Sequence, residues 1–113
     1  MFQDDVTAKR VTRYVILSVL AASPSPWLMF SLLYKSMDVR GWPTSKESLA
    51  WHLERVLQPM GLVELRRVRD LPRELRERDG RSPAEIDAVC LTPKGVNAVN
   101  DPDQPGLEEI EGI

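Results

Sequence analysis

Between Tyr14 and Tyr34 the chain carries no charged residue, and Ser23-Pro24-Ser25-Pro26 interrupts that 21-residue run near its middle. A run of this length nominally spans a bilayer. It also follows Lys9, Arg10 and Arg13, as the apolar part of a secretory signal would. The interruption argues against both readings. Proline removes a backbone donor and breaks a helix, so two prolines and two serines at mid-bilayer depth would leave polar groups unsatisfied in lipid. Asp4 and Asp5 are foreign to the basic start of a signal. The run therefore reads as two core helices joined by a Pro-Ser turn, with no membrane partner and a cytoplasmic location.

At 113 residues, 42% of them hydrophobic, the sequence suits one domain with its own core. A single Cys excludes an intrachain disulfide and a multi-thiolate metal site. With only one His as well, no His-based triad or multi-His metal centre can be assembled, so neither an enzyme nor a cofactor is expected. The net charge of −2 hides an asymmetry: residues 1–100 hold 15 bases and 12 acids, whereas residues 101–113 hold five acids and no base. The division expected is a folded domain over 1–100 and a flexible acidic tail over 101–113.

Helical spacing sets Val11, Val15, Val19 and Ala22 on one face of a first helix, with Tyr14 and Leu17 beside it and Asp5 or Thr7 as its cap. Ser25 as N-cap and Pro26 as first helical residue predict a second helix through Trp27, Phe30, Leu33, Tyr34 and Met37, stopped by the breaker-rich segment Asp38 to Pro43. Trp27, Phe30 and Tyr34 read as core, the alternative being a small-molecule pocket. Thr44-Ser45-Lys46-Glu47 has the form of a capping box. The third helix it opens carries Leu49, Leu53, Val56, Leu57 and Met60 on one stripe and ends at Pro59 and Gly61. From Leu62 to Arg69, and again from Glu85 to Leu91, the period falls to two, and Asp70 to Pro83 reads as a long loop at a hairpin tip. Within the second strand Ile86, Ala88 and Cys90 are expected to point inward, Cys90 as a structural thiol rather than a redox sensor. Thr92-Pro93 repeats the cap-plus-proline signature and opens a short fourth helix with Val96 and Val99 on its apolar face.

The layout expected is α+β: a three-helix core, a two-stranded β-wing and a short C-terminal helix, the order of a winged helix-turn-helix domain. Met60-Gly61-Leu62-Val63-Glu64-Leu65-Arg66-Arg67, then Asp79-Gly80-Arg81, then Leu91-Thr92-Pro93-Lys94-Gly95 resembles the wing of the MarR and PadR families of bacterial regulators. Small phage-encoded winged-helix proteins are similar in size and layout. The sequence departs from these families in two places. The acidic tail offers no long dimerisation helix, and Leu71 to Arg78 is an additional stretch before the wing tip.

The resemblance implies a sequence-specific, DNA-binding transcriptional regulator acting as a homodimer on double-stranded DNA. The third helix would enter the major groove and the arginine-rich wing would lie on the backbone. Ser45, Lys46, Ser48, Trp51, His52 and Arg55 are then the helix contacts. Arg67, Arg69, Arg73, Arg76, Arg78 and Arg81 are the wing contacts, with Arg66 completing seven arginines in 16 residues. Residues 64–81 also hold five acids, which suits a self-paired solvated surface equally well, and Glu47 and Glu54 on the outward face oppose phosphate. These features support a second expectation, a protein–protein interaction module that uses Trp51 and the acidic tail.

Overall fold

The computed structural model describes residues 6–78 and 80–100. The acidic segment 101–113, the Asp5 cap and Asp79 of the wing tip lie outside these residues. Among them the chain is α+β, with five helices and a three-stranded antiparallel sheet. In order these are α1 (Val6–Ala22), β1 (Trp27–Met29), α2 (Phe30–Val39), α3 (Lys46–His52), β2 (Val63–Arg67), α4 (Arg73–Arg78), β3 (Ile86–Leu91) and α5 (Pro93–Asn100). The sheet order is β1-β3-β2, so the last strand is central. No helix among the described residues is long and apolar enough to cross a membrane.

The third strand corrects the sequence reading. Trp27-Leu28-Met29 was expected inside a helix capped by Ser25. Instead it pairs antiparallel with β3, Trp27 opposite Cys90 and Met29 opposite Ala88. The Ser25 hydroxyl donates to the Trp27 carbonyl, so the apparent cap serves a turn into a strand, and α2 begins only at Phe30. In α1 the buried stripe is Thr12, Arg13, Ile16, Leu17, Val19 and Leu20, while Val11 and Val15 are half-buried and Ala22 and Tyr14 exposed. The helix is rotated from the expected Val11–Ala22 face because α2, α5 and β3 contact it from several sides. Thr7 falls inside its first turn, not at a cap.

α2 stops where the breakers stand. Gly41 has a φ of +82°, its N–H bonds the Asp38 carbonyl, and the Trp42 N–H reaches back to Met37. This is a Schellman ending, in which glycine takes the left-handed position without a Cβ penalty. The cap of α3 is one residue later than expected. Ser45, not Thr44, accepts the Ser48 N–H at 3.0 Å. Leu49, Leu53, Val56 and Leu57 are buried as the stripe requires. Beyond His52 the rod continues as a π-helical turn over Leu53–Leu57, with Gln58 N–H bonding Leu53 O. It closes on a second glycine of positive φ, Gly61, with Leu62 N–H returning to Leu57 O.

β2 and β3 form the expected pair, but a β-bulge at Arg66/Arg67 shifts the register, so that Arg66 faces Ala88 and Arg67 faces Ile86. The phase of β3 changes with it. Ile86 and Val89 join the core, whereas Cys90 stands opposite Glu64 and Trp27 and is only half-buried, contrary to its expected inward aim. The connection is not a bare loop either. It holds a 3-10 turn (Val68–Asp70) and α4, and Val68 is buried.

α5 is seated through Thr92. The Thr92 hydroxyl accepts the Gly95 N–H and donates to Gly61 O at 2.6 Å, and the Thr92 N–H bonds Leu62 O. Gly95 and Ala98 face inward, Val99 packs on the core and Val96 is exposed, which corrects the expected Val96–Val99 face. A Cβ on Gly95 would strike the Leu62 carbonyl oxygen and the Leu91 side chain. Since backbone cannot yield as a flexible side chain does, Gly95→Ala is expected to cost about 1–3 kcal/mol, read as a lower urea midpoint at unchanged m-value.

Candidate nucleic-acid interface

The residues singled out by sequence separate into three groups. The first is exposed. Ser45 is held as the α3 cap, Lys46 lies with Nζ 5.3 Å from the centre of the Tyr34 ring, and Arg55 is exposed on the π-helical turn. Trp51 is 39% exposed. One side of it meets Lys9, whose Nζ is 5.9 Å from the ring centre, and its ring stands nearly perpendicular to that of His52 with the two centres 5.2 Å apart. Arg69, Arg73 and Arg76 are exposed along the β2–β3 connection, and the Arg78 side chain lies outside the described residues.

The second group is turned inward as ion pairs. Arg67 Nη2 donates to Glu54 Oε2 and Nη1 to the Ala84 carbonyl, both at 2.8 Å, fastening the π-helical turn to the far side of the hairpin. Arg81 donates to Asp87 Oδ1 and Arg66 to Oδ2, each at 3.0 Å, while the Arg66 guanidinium lies 5.1 Å from the Trp27 ring centre. Asp87 is only 6% exposed, and two arginines offset the cost of burying its charge. Arg67 and Arg81, both expected to contact DNA, thus have their guanidinium groups engaged within the chain.

The third group is buried. His52 was expected at an edge of the DNA-facing side, but it is 4% exposed and accepts the Nε–H of Arg13 on Nδ1 at 3.3 Å. Burial, then the charges of Arg13 and Lys9, push its pKa down to about 4, and burial lowers that of Arg13 as well. The ring is therefore neutral at pH 7. With Nδ1 accepting, its proton stands on Nε2. Ser48 is half-buried on the same side of α3. The signal for His52 was present in the sequence: it lies three residues after Leu49 and four before Val56, on the leucine stripe. Its partner, 39 residues away, was not readable. Nor was Asp87 as the centre of two ion pairs.

Two concavities flank these residues, and their charges differ. Beside α3, Lys46, Glu47 and Glu54 face Ser82, Ala84 and Glu85 across a groove of about 420 Å³. It carries three carboxylates, of which Glu54 is paired with Arg67 and Glu85 accepts the Ser82 N–H. On the connection, Arg73, Arg76 and Arg81 with Val68, Gly80 and Pro83 line about 450 Å³. The second is lined by three guanidinium groups, of which Arg81 is paired with Asp87, and the first by three carboxylates and one ammonium. Among the described residues no three His, Cys, Asp or Glu side chains are grouped to hold a metal ion. Burial and the nearby Glu64 carboxylate push the Cys90 thiol up, away from the reactive thiolate.

Comparison with protein-family models, with curated proteins and with solved structures finds no significant match to this chain.

Because the folded state resists protonating His52, the unfolded chain binds the extra proton first. Stability is expected to be unaffected by this group above pH 6.5, to fall as pH drops from 6.5 towards 4, and to level off below, a loss of about 3 kcal/mol in all. Urea unfolding across pH 4–7 should show this slope in the native chain and lack it in His52→Gln.

Proposed function

We propose that this chain is a winged-helix protein that binds double-stranded DNA as a homodimer and regulates transcription. The observation that carries the reading is the arginine-lined concavity on the β2–β3 connection, where Arg73 and Arg76 project from α4 beside Arg81. The element order supports it. A strand between the first two helices, a third helix, then two further strands with the last at the centre is the layout of a winged helix. In this reading α3 enters the major groove by Ser45, Lys46, Trp51 and Arg55, and α4 with the wing follows the phosphates. Phosphate contacts would set position, and the α3 side chains would read sequence. A single domain of this size makes few contacts, so two copies on two half-sites would supply both affinity and specificity.

A protein partner is the second reading, favoured by the three carboxylates of the groove beside α3 and by the exposed Trp51 ring. Salt dependence separates the two. Duplex binding should weaken with a log–log slope of several units, and replacing both Arg73 and Arg76 by Ala should reduce that slope by about 2 while the fold persists. Both side chains are exposed, so their loss leaves the core intact. No duplex binding at about 50 mM salt would reject the nucleic-acid reading. Loss of a protein pull-down on Trp51→Ala would then support the alternative.

A further inference from the structure

Residues 101–113 carry five carboxylates and no base, while residues 1–100 carry 15 bases against 12 acids. The chain thus divides into a cationic body and an anionic segment joined at Asn100. Of the two concavities beside α3 and the β2–β3 connection, the first presents Glu47, Glu54 and Glu85 against Lys46 and opposes that segment. The second has the opposite character. Arg73, Arg76 and Arg81 line it with Val68, Gly80 and Pro83, and among the described residues no carboxylate does so. Arg81 keeps its bond to Asp87, yet a guanidinium has five N–H donors and can serve a second carboxylate without losing the first. Leu75 stands exposed on α4 between Arg73 and Arg76. This surface is cationic with an apolar point, and Leu107-Glu108-Glu109-Ile110-Glu111 is anionic with apolar points.

We infer that segment 101–113 docks within its own molecule on the arginine-lined concavity of the β2–β3 connection, with Glu108, Glu109 and Glu111 meeting the guanidinium groups. Reach permits it. These glutamates stand 8–11 residues beyond Asn100, a span of up to about 26–40 Å at 3.3–3.6 Å per extended residue, against molecular dimensions of 43 × 32 × 24 Å. Exposed ion pairs are individually weak. Attachment to the same chain, however, holds the carboxylates at a local concentration on the order of 1 mM, so that several pairs form together. A nucleic-acid phosphate would need the same guanidinium groups. The segment is then a built-in competitor that weakens duplex binding; this consequence rests on the nucleic-acid reading, whereas the contact itself does not.

Paramagnetic relaxation in the ¹H–¹⁵N NMR spectrum of the full chain tests the contact. A nitroxide is attached at Gly112→Cys in a Cys90→Ser background, Cys90 being the sole thiol of the native chain. At about 50 mM salt the amide signals of Arg73, Arg76 and Gly80 are expected to broaden, and at about 0.5 M salt, where exposed charges are screened, to recover. Neutralising the five acids (Asp101→Asn, Asp103→Asn, Glu108→Gln, Glu109→Gln and Glu111→Gln) should remove the broadening and leave the remaining signals in place. No broadening at these residues, equal broadening in the neutralised chain, or broadening centred on another surface would each overturn the inference. So would transfer of the full effect to a ¹⁵N-labelled chain mixed with a spin-labelled one, since the occupant would then be a second copy. The neutralised chain should also bind a DNA duplex several-fold more tightly than the native chain at about 50 mM salt, the difference closing as salt rises. Equal duplex affinity of the two chains would overturn the competition. Absence of duplex binding by either chain, with the broadening intact, would reject the nucleic-acid reading and uphold the contact.

Discussion

The rest of the molecule depends on the close approach of two backbones at the end of the α3 rod. Gly61 and Leu62 leave the rod, and Thr92 to Gly95 begin α5, with Gly95 placed where any side chain would strike the Leu62 carbonyl. Three hydrogen bonds cross the junction, from the Thr92 N–H, the Thr92 hydroxyl and the Lys94 ammonium to the carbonyls of Leu62, Gly61 and Met60. Each is worth only about 1 kcal/mol net. Their effect is geometric: they fix where α3 ends, where β2 starts opposite Leu91, and where α5 turns back to α1. Met60-Gly61-Leu62 and Leu91-Thr92-Pro93-Lys94-Gly95, two motifs 30 residues apart in sequence, are two halves of one joint.

That joint also accounts for the disposition of charge. With β2 and β3 held in register from Val63 and Leu91, the bulge at Arg66/Arg67 sends successive arginines in different directions. Arg66 goes to Asp87 and Arg67 to Glu54, while Arg81 closes on Asp87 from the other strand's approach. Counting arginines along the chain therefore overstates the cationic surface, because these three guanidinium groups are already spent on carboxylates of the same chain.

The elements legible in the sequence are those whose signals are local. The leucine stripe of α3, the glycine stops at Gly41 and Gly61, and the Thr92-Pro93 start of α5 each rest on neighbouring residues and backbone chemistry. The misplaced elements depend on partners far along the chain. Trp27-Leu28-Met29 is three residues long, too short for a period, and becomes a strand only because β3, some 60 residues later, offers an edge. Residues 73–78 carry good helix formers after Pro72, yet six residues rich in charge show no apolar face by which a helix is recognised. The one-residue change in the α3 cap, from Thr44 to Ser45, is of a different kind: both hydroxyls were suitable, and the turn set by Trp42 and Pro43 decided between them. His52 was misassigned because a titratable side chain at the edge of a stripe reads as surface until its counterpart is known.

That counterpart gives α3 its two-sided character. Arg13 reaches across from α1 to hold His52, and Arg67 reaches across from β2 to hold Glu54, so the rod is latched by one guanidinium on each side. The two latches differ in strength. The Arg67–Glu54 pair joins opposite charges at partly exposed positions, where an ion pair contributes little net stability. Arg13–His52 joins a cation to a neutral acceptor in a buried place, where losing the guanidinium leaves the imidazole Nδ1 without its donor. The buried latch therefore bears on the first half of α3, where Ser45, Lys46 and Glu47 are exposed, and the exposed one on the π-helical half, whose Leu53, Val56 and Leu57 are already sealed in the core against β2. The two halves are thus held by different means, the first by a polar bond to α1 and the second by apolar burial with an ion pair at its rim.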